Sequence, residues 1–343
     1  MLTPAQVNLL QEELKSAKNP LFLYDSDADG LCSFLLLYRI HREGKGIRVT
    51  AGSKIDGHFV RKVDEINPDK IFVLDIHVID QEFVDAVKVP IFWIDHHQPQ
   101  QLKNVHYFNP RLKNPDAYVP TSRMAYQVSR NEADLWIAAA GCLADWYMPD
   151  FIDSFIERYP ELLPEKSDLT ATLYQNPVGK LVKLFFFLQK GPTAEVRKSL
   201  KILSKINSPG EIFAEESSAG KFLHRCFEKV DAKYEEVLAQ AKKNITKAKV
   251  VLFTYNSTQW SFTANIANEL SALYPKKVII IAREKAGSMK CSIRAQYPIA
   301  GALEKALIGI EGHGGGHPNA CGAVIKEEDW PRFLDNFKEE LKT

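Results

Sequence analysis

The sequence predicts an α/β protein of two lobes, and three observations carry that prediction. Through residue 110, short apolar runs alternate with amphipathic stretches, the pattern of a parallel sheet with helices on both faces. From 151 to about 245 the strand signals vanish and helix-like segments take over. At 249 strands return, in the order of a second, smaller α/β domain. A chain of 343 residues has room for both cores.

Taken in order, MLTPAQVNLLQEELKSAKN reads as an amphipathic helix and lacks the basic-then-apolar pattern of a signal peptide. PLFLY (20–24), IRVTA (47–51), KIFVLD (70–75), VPIFWID (89–95) and VHYF (105–108) read as buried strands, with helical spacing over 31–43, 58–66 and 80–87. EADLWIAAAGCLAD reads as a buried apolar helix ending at Asp145, with Pro149 soon after. VGKLVKLFFFLQK (178–190) and the charged run 221–249 are helical, KKNITKAKV (242–250) is an exposed helix, and FFF at 185–187 is packing. The C-terminal lobe then reads KVVLFTY, a helix near 263–273, KKVIIIARE (276–284), MKCSIRAQ (289–296), a helix near 299–308, and GHGGGHPNACGAVI as an ordered loop leading into a strand. The expected domains are 1–150, a helical connector over 151–245, and 246–343.

The net charge of +1 and pI of about 7.6 argue against coating nucleic acid through bulk charge; a polyanion must meet a local patch. Five scattered cysteines without a CxxC pair indicate neither a disulfide framework nor a zinc site, and read as small buried hydrophobes. No apolar run approaches the roughly 18 residues that span a bilayer, so a cytoplasmic protein with no membrane contact is expected.

The chemistry lies in the acidic residues. Asp25, Asp27 and Asp29 follow the first strand, Asp75 ends the third and Asp95 the fourth. Ligands of parallel sheets collect at those carboxyl ends. Any one of these aspartates could cap a helix, but all of them on one edge form an acidic cluster that repels itself and resists burial. With DHH at 95–97 and Asp145, the set holds oxygen donors and imidazole but no thiolate. Such a set suits Mn²⁺ or Fe²⁺, admits Mg²⁺ and disfavours zinc. One divalent ion leaves a large excess of negative charge; two nearly balance it, and paired metals are a recurring device of phosphoryl chemistry. His77 shares the side of Asp75 and is as well explained as a structural histidine. Arg123 stands where it could line the site, and His41, His58, His106 and His224 read as surface or core residues.

These residues resemble the DHH phosphoesterases, specifically the DHH/DHHA1 subgroup of RecJ-like exonucleases and oligoribonucleases. The first motif, HxDxDG, reads DSDADG from Asp25; the second is Asp75 in FVLDIH; the third is Asp95-His96-His97; the fourth is Asp145 in AAAGCLADWY. The DHHA1 signature GGGHxxAxG matches GGGHPNACG at 314–322. The resemblance implies that Asp25, Asp27 and Asp75 hold one metal while Asp29, Asp75, His96 and Asp145 hold the other, with Mn²⁺ as the expected ion and Mg²⁺ as a substitute. It makes Asp95 the residue that orients the imidazole, His97 the contact to the scissile phosphate, and Asp75 the bridge. Gly314, Gly315, Gly316, His317, Arg294 and, more weakly, His313 become the substrate-binding set. Asp25 departs from the pattern by replacing the family's His, which adds charge to one site and hardens its ligands toward Mg²⁺.

The implied function is metal-dependent hydrolysis of single-stranded DNA or RNA by an exonuclease, of a kind some of whose members associate with replication or helicase proteins. Two alternatives stand beside it: a short-oligonucleotide hydrolase with phosphoadenosine phosphate activity, and a non-catalytic replication scaffold, toward which Asp25 alone points. Digestion polarity and oligomeric state are not written in these residues.

Overall fold

The computed structural model describes residues 1–50, 54–256 and 260–342, which divide into two compact units, Met1–Phe227 and Glu228–Thr343. The chain opens with α1 (Pro4–Ser16), where proline occupies the first turn, Thr3 accepts the Gln6 amide at 3.3 Å and Gln6 returns a bond to the Thr3 amide at 2.9 Å. This reciprocal cap satisfies two amides that a helix start leaves bare. There follow β1 (Leu21–Asp25), α2 (Ala28–His41), β2 (Lys45–Val49), α3 (Val60–Ile66), β3 (Ile71–Leu74), α4 (Gln81–Ala86), β4 (Ile91–Ile94) and β5 (His106–Phe108). Ala51, the last residue of the second expected strand, lies outside the described residues.

The five strands form one parallel sheet in the order β2-β1-β3-β4-β5. The central strands β1, β3 and β4 read as continuous apolar runs because both their faces are buried, whereas the edge strand β2, expected to be buried, is largely exposed. On one face Leu21, Leu23, Ile71, Val73, Ile91 and Trp93 join a core with Val63 and Phe83. On the other, the register sets Phe22, Phe72 and Phe92 side by side, with ring centroids 5.3 and 5.2 Å apart. Strand alternation thus fills two cores at once.

Helices α5 (Thr121–Ser129) and α6 (Leu135–Ala144) pack on α2. Beyond them run α7 (Ile152–Arg158), α8 (Leu169–Gln175), α9 (Val178–Phe187), α10 (Thr193–Leu203), α11 (Pro209–Phe213) and α12 (Ser218–Lys243), the division between units falling within α12. The helices of the expected connector that precede α12 therefore belong to the first unit. Phe185 and Phe187 are buried in it, and the buried Arg39 of α2 donates to the carbonyls of Ser204 at 3.2 Å and Ile206 at 2.7 Å. The run 242–250 is helical only to Lys243, so the exposed helix expected there is corrected to a helix end and an irregular approach to the next strand.

The second unit holds β6 (Val250–Tyr255), α13 (Thr263–Leu273), β7 (Val278–Glu284), β8 (Ser288–Arg294), α14 (Ala300–Ala306), β9 (Gly312–His317), β10 (Ala320–Lys326) and α15 (Trp330–Glu340). Its sheet, β6-β7-β8-β10-β9, is parallel only between β6 and β7. Val278, Ile280, Cys291 and Ile293 form a core with Phe333 and Phe337 of α15. The glycine run is corrected from a loop to the edge strand β9, exposed along its length. Glycines serve here because the strand lies close to β10: a Cβ on Gly314 would stand 2.8 Å from the Gly322 carbonyl oxygen. The five cysteines are free; Cys226 is half-buried and the others are buried. No helix among the described residues is long and apolar enough to cross a membrane.

Candidate metal centre

Three consecutive strand ends bring the acidic residues to one edge of the first sheet. Asp25 closes β1, Asp75 follows β3 and donates its amide to Ile94 at 3.0 Å, and Asp95 follows β4 and bonds Phe108 at 3.1 Å. Asp27 caps α2 by accepting the Gly30 amide at 2.8 Å. Gly30 is obligatory, since a Cβ there would lie 2.5 Å from the Asp25 carbonyl oxygen. Asp29 is buried in the first turn of α2, where both its oxygens accept backbone amides from the start of α5, Thr121 at 2.8 Å and Ser122 at 2.9 Å. Each oxygen keeps a lone pair for a cation. Asp145 stands at the C-terminal cap of α6, the end of a helix least favourable to negative charge.

His96 sits between carboxylates. Its Nε2 lies 3.3 Å from Asp75 Oδ1 and its Nδ1 3.7 Å from Asp145 Oδ2. Burial holds the imidazole below its ordinary pKa, so it is neutral and has one N–H to give. One ring lone pair therefore faces a carboxylate oxygen, and Nδ1 is buried without a hydrogen-bond partner. Two negative poles face one another there, an arrangement that a cation resolves.

The carboxylates give the same answer. Burial, followed by the charge of Asp27, pushes Asp25 up to about 7; burial and Asp145 push Asp29 up to about 7; burial pushes Asp145 up to about 7. Asp75 is driven well above the usual range by burial and then by Asp29, Asp27, Asp25 and Asp145. Asp75 is also held at φ +60°, a left-handed conformation that costs a residue other than glycine about 1–3 kcal/mol. A strained, buried carboxylate among four others is poor design for stability and good design for a divalent ion.

Among the described residues, two groupings place ligand atoms within 4.8 Å of one another: Asp29, His96 and Asp145, and Asp75, His96 and His97. Asp25 and Asp27 form no such trio with Asp75, although both act on its carboxyl electrostatically. The donor set fits a hard divalent ion of mixed oxygen and imidazole preference.

Asp95 corrects one expectation. It orients His97 rather than His96, accepting His97 Nδ1 at 2.7 Å and the His97 amide at 3.1 Å. Tyr107 donates to it at 3.2 Å, while Asn109 donates to Tyr107 at 2.8 Å and to the His97 carbonyl at 2.9 Å. Burial opposes protonation of His97, but the bond to Asp95 prevails and raises its pKa. The ring of His77 lies 5.7 Å from that of His97, at the edge of the site. Arg123 does not line it: a two-pronged ion pair with Asp150, at 2.6 and 2.8 Å, engages its guanidinium.

Sequence reasoning missed Thr121, Ser122, Tyr107, Asn109, Tyr118 and Gln189. The proline before Thr121 and Ser122 is a helix-start signal that could have drawn attention to their amides. Tyr118 donates to Asp145 Oδ2 at 2.8 Å, and Gln189 donates to the Asp27 carbonyl at 2.6 Å from 162 residues away. No local pattern marks either.

In the second unit, Arg294 and His317 flank Ala320 in one cross-strand row of β8, β10 and β9. Arg294 donates to Asn268 at 2.6 Å and to the Cys321 carbonyl at 2.9 Å, so its guanidinium is braced by α13 and by β10. His313, Gly314, Gly315, Gly316 and His317 are exposed on the outer strand.

The fold and this edge define a two-domain α/β protein with a site suited to divalent cations. Residues 22–144 match the N-terminal domain of the DHH family and residues 247–343 match the DHHA1 domain, and the chain belongs to the DHH/DHHA1 family. Among solved structures it is similar to RecJ from Thermus thermophilus in complex with Mn²⁺ (TM-score 0.72, 18% identity), covering 98% of this chain and 54% of that one. It thus spans about half the length of that RecJ. Exonuclease RecJ bound to manganese follows (0.64, 17%), with 98% and 94% covered, and the DHH domain of a member of a family of ribosomal proteins (0.70, 13%), with 98% and 89%. At these identities the likeness is one of fold. Among curated proteins, none matches the sequence.

Proposed function

We propose that the chain is a divalent-metal-dependent phosphodiesterase that shortens single-stranded nucleic acid from an end. The observation that carries the metal is His96, buried between Asp75 and Asp145 with Nδ1 unsatisfied. Asp29, Asp75, His96 and Asp145 would hold the ions, with Asp25 and Asp27 as further oxygen donors. Bound there, the ions supply Lewis acidity and an acidified water. His97, its Nδ1 anchored on Asp95, presents Nε2 to a phosphate oxygen and carries positive charge more readily than an ordinary histidine. The likeness to manganese-bound RecJ supports both the ion and the substrate class.

The test is hydrolysis of end-labelled strands, from dinucleotides to several tens of nucleotides, with Mn²⁺ and with Mg²⁺. Stepwise shortening of the long strands is expected. Activity confined to the shortest would replace the exonuclease with a short-oligonucleotide hydrolase, and no hydrolysis under either ion would leave a scaffold.

Gly315 gives a second test. A Cβ added there meets nothing within 4 Å, so packing does not explain this glycine. Close approach of phosphate to the backbone does. Gly315→Ala is expected to leave the melting temperature unchanged or slightly raised while raising KM roughly tenfold, the worth of one charge-assisted hydrogen bond. An unchanged KM would mean that β9 does not bind the phosphate.

A further inference from the structure

Tyr118 is a large aromatic side chain that the fold leaves outside. It is 47% exposed, and among the described residues only Met1, Leu112 and Ile308 share the status of exposed large hydrophobics. Such exposure is ordinary for a single residue, but this one is not loosely placed. Its hydroxyl donates to Asp145, 2.8 Å from Oδ2 and 2.6 Å from the carbonyl oxygen, and its ring stands edge-on to His96 with centroids 5.6 Å apart. The polar tip is tied to Asp145 and one edge of the ring to His96, while about half of the side chain stays open to water.

Those two facts separate two roles. The hydroxyl fixes the carboxylate of Asp145. The ring is not needed for that, since a small donor would serve, yet the fold leaves about half of this side chain uncovered. An aromatic surface pinned at one end and open at the other is a stacking platform, and the flat partner that a phosphodiester substrate brings beside its reacting phosphate is a base.

We propose that Tyr118 is a specificity residue of this site: its ring stacks on the base of the nucleotide whose phosphate is cleaved, and its hydroxyl positions Asp145. The assignment rests on the phosphodiesterase reading and adds to it a requirement for a base at the scissile nucleotide.

The experiment compares kcat/KM for a single strand with a normal terminal nucleotide and for the same strand with an abasic one, in wild type, Tyr118→Phe and Tyr118→Ala. Stacking is worth about 1–3 kcal/mol per base, so wild type should prefer the normal strand roughly 5- to 150-fold. Tyr118→Phe keeps the ring and should keep that ratio, while losing affinity for Mn²⁺ in a calorimetric titration. Tyr118→Ala should bring the ratio close to one. Because the readout is a ratio, a general loss of activity in either variant does not mimic the result. Equal hydrolysis of both strands by wild type, or an undiminished ratio in Tyr118→Ala, overturns this assignment and leaves the phosphodiesterase standing. Failure of wild type to hydrolyse any strand overturns both.

Discussion

Asp75→Asn is expected to lower kcat/KM by about 10³-fold or more, the loss of several kcal/mol of transition-state stabilisation, and at the same time to raise the melting temperature of the metal-free protein. Asp75 is 1% exposed and stands among Asp29, Asp27, Asp25 and Asp145, whose charges add to its desolvation. Removing its charge relieves a repulsion that folding otherwise has to overcome. Asparagine is the informative replacement because it tolerates the positive φ at this position and keeps an oxygen for the Thr121 hydroxyl, 3.2 Å away. Alanine would add backbone strain and confuse the reading. In wild type, Mn²⁺ at a thousand times its dissociation constant adds about 4 kcal/mol, and in Asp75→Asn that gain should largely vanish. Melting curves with chelator and with Mn²⁺, beside the strand assay, decide the matter. A variant that melts lower without metal and keeps the full Mn²⁺ gain would show that Asp75 supports the fold and does not hold the ion.

The sheet of the first unit was legible because burial on both faces leaves strands such as IFVL and IFWI as unbroken apolar runs. The acidic edge was legible too, because Asp25, Asp75 and Asp95 each directly follow such a run. What holds those aspartates was not. Asp29 is gripped by amides 92 and 93 residues away, and Asp95 chooses His97 through a network with Tyr107 and Asn109 that depends on where β5 lies beside β4. Pairings of that kind follow from the assembled fold, and residue spacing says nothing of them. The glycine run misled for a different reason: without side chains it has no strand periodicity, and only its antiparallel partner β10 makes it a strand. Helix α15 is the opposite case, with Trp330, Phe333, Leu334 and Phe337 at helical spacing on one buried face, a pattern open to reading that went unread.

The same carboxylates fix how stability should vary with pH. Folding raises Asp25, Asp29 and Asp145 from an ordinary 3.8 to about 7, and holds Asp75 well above the usual range. Between about pH 4 and pH 7 the folded protein then binds more protons than the unfolded chain, so stability falls as pH rises through that window. The raised pKa of His97 acts in the same sense, with stability present below its ordinary value and lost as pH climbs past the folded one, whereas the lowered pKa of His96 acts in the opposite sense. Each tenfold change in a group's proton affinity is worth about 1.4 kcal/mol. Several carboxylates moving together should therefore lower the metal-free melting temperature by ~5 °C or more between about pH 5 and pH 8. Mn²⁺ should reverse the slope, because the ion competes with protons for the same oxygens and binds best when they are ionised. Melting temperatures across that range, with chelator and with Mn²⁺, test the point. A metal-free curve that stays flat or rises would mean that the aspartates ionise freely in the folded protein, and a cluster able to do that without cations has no need of them.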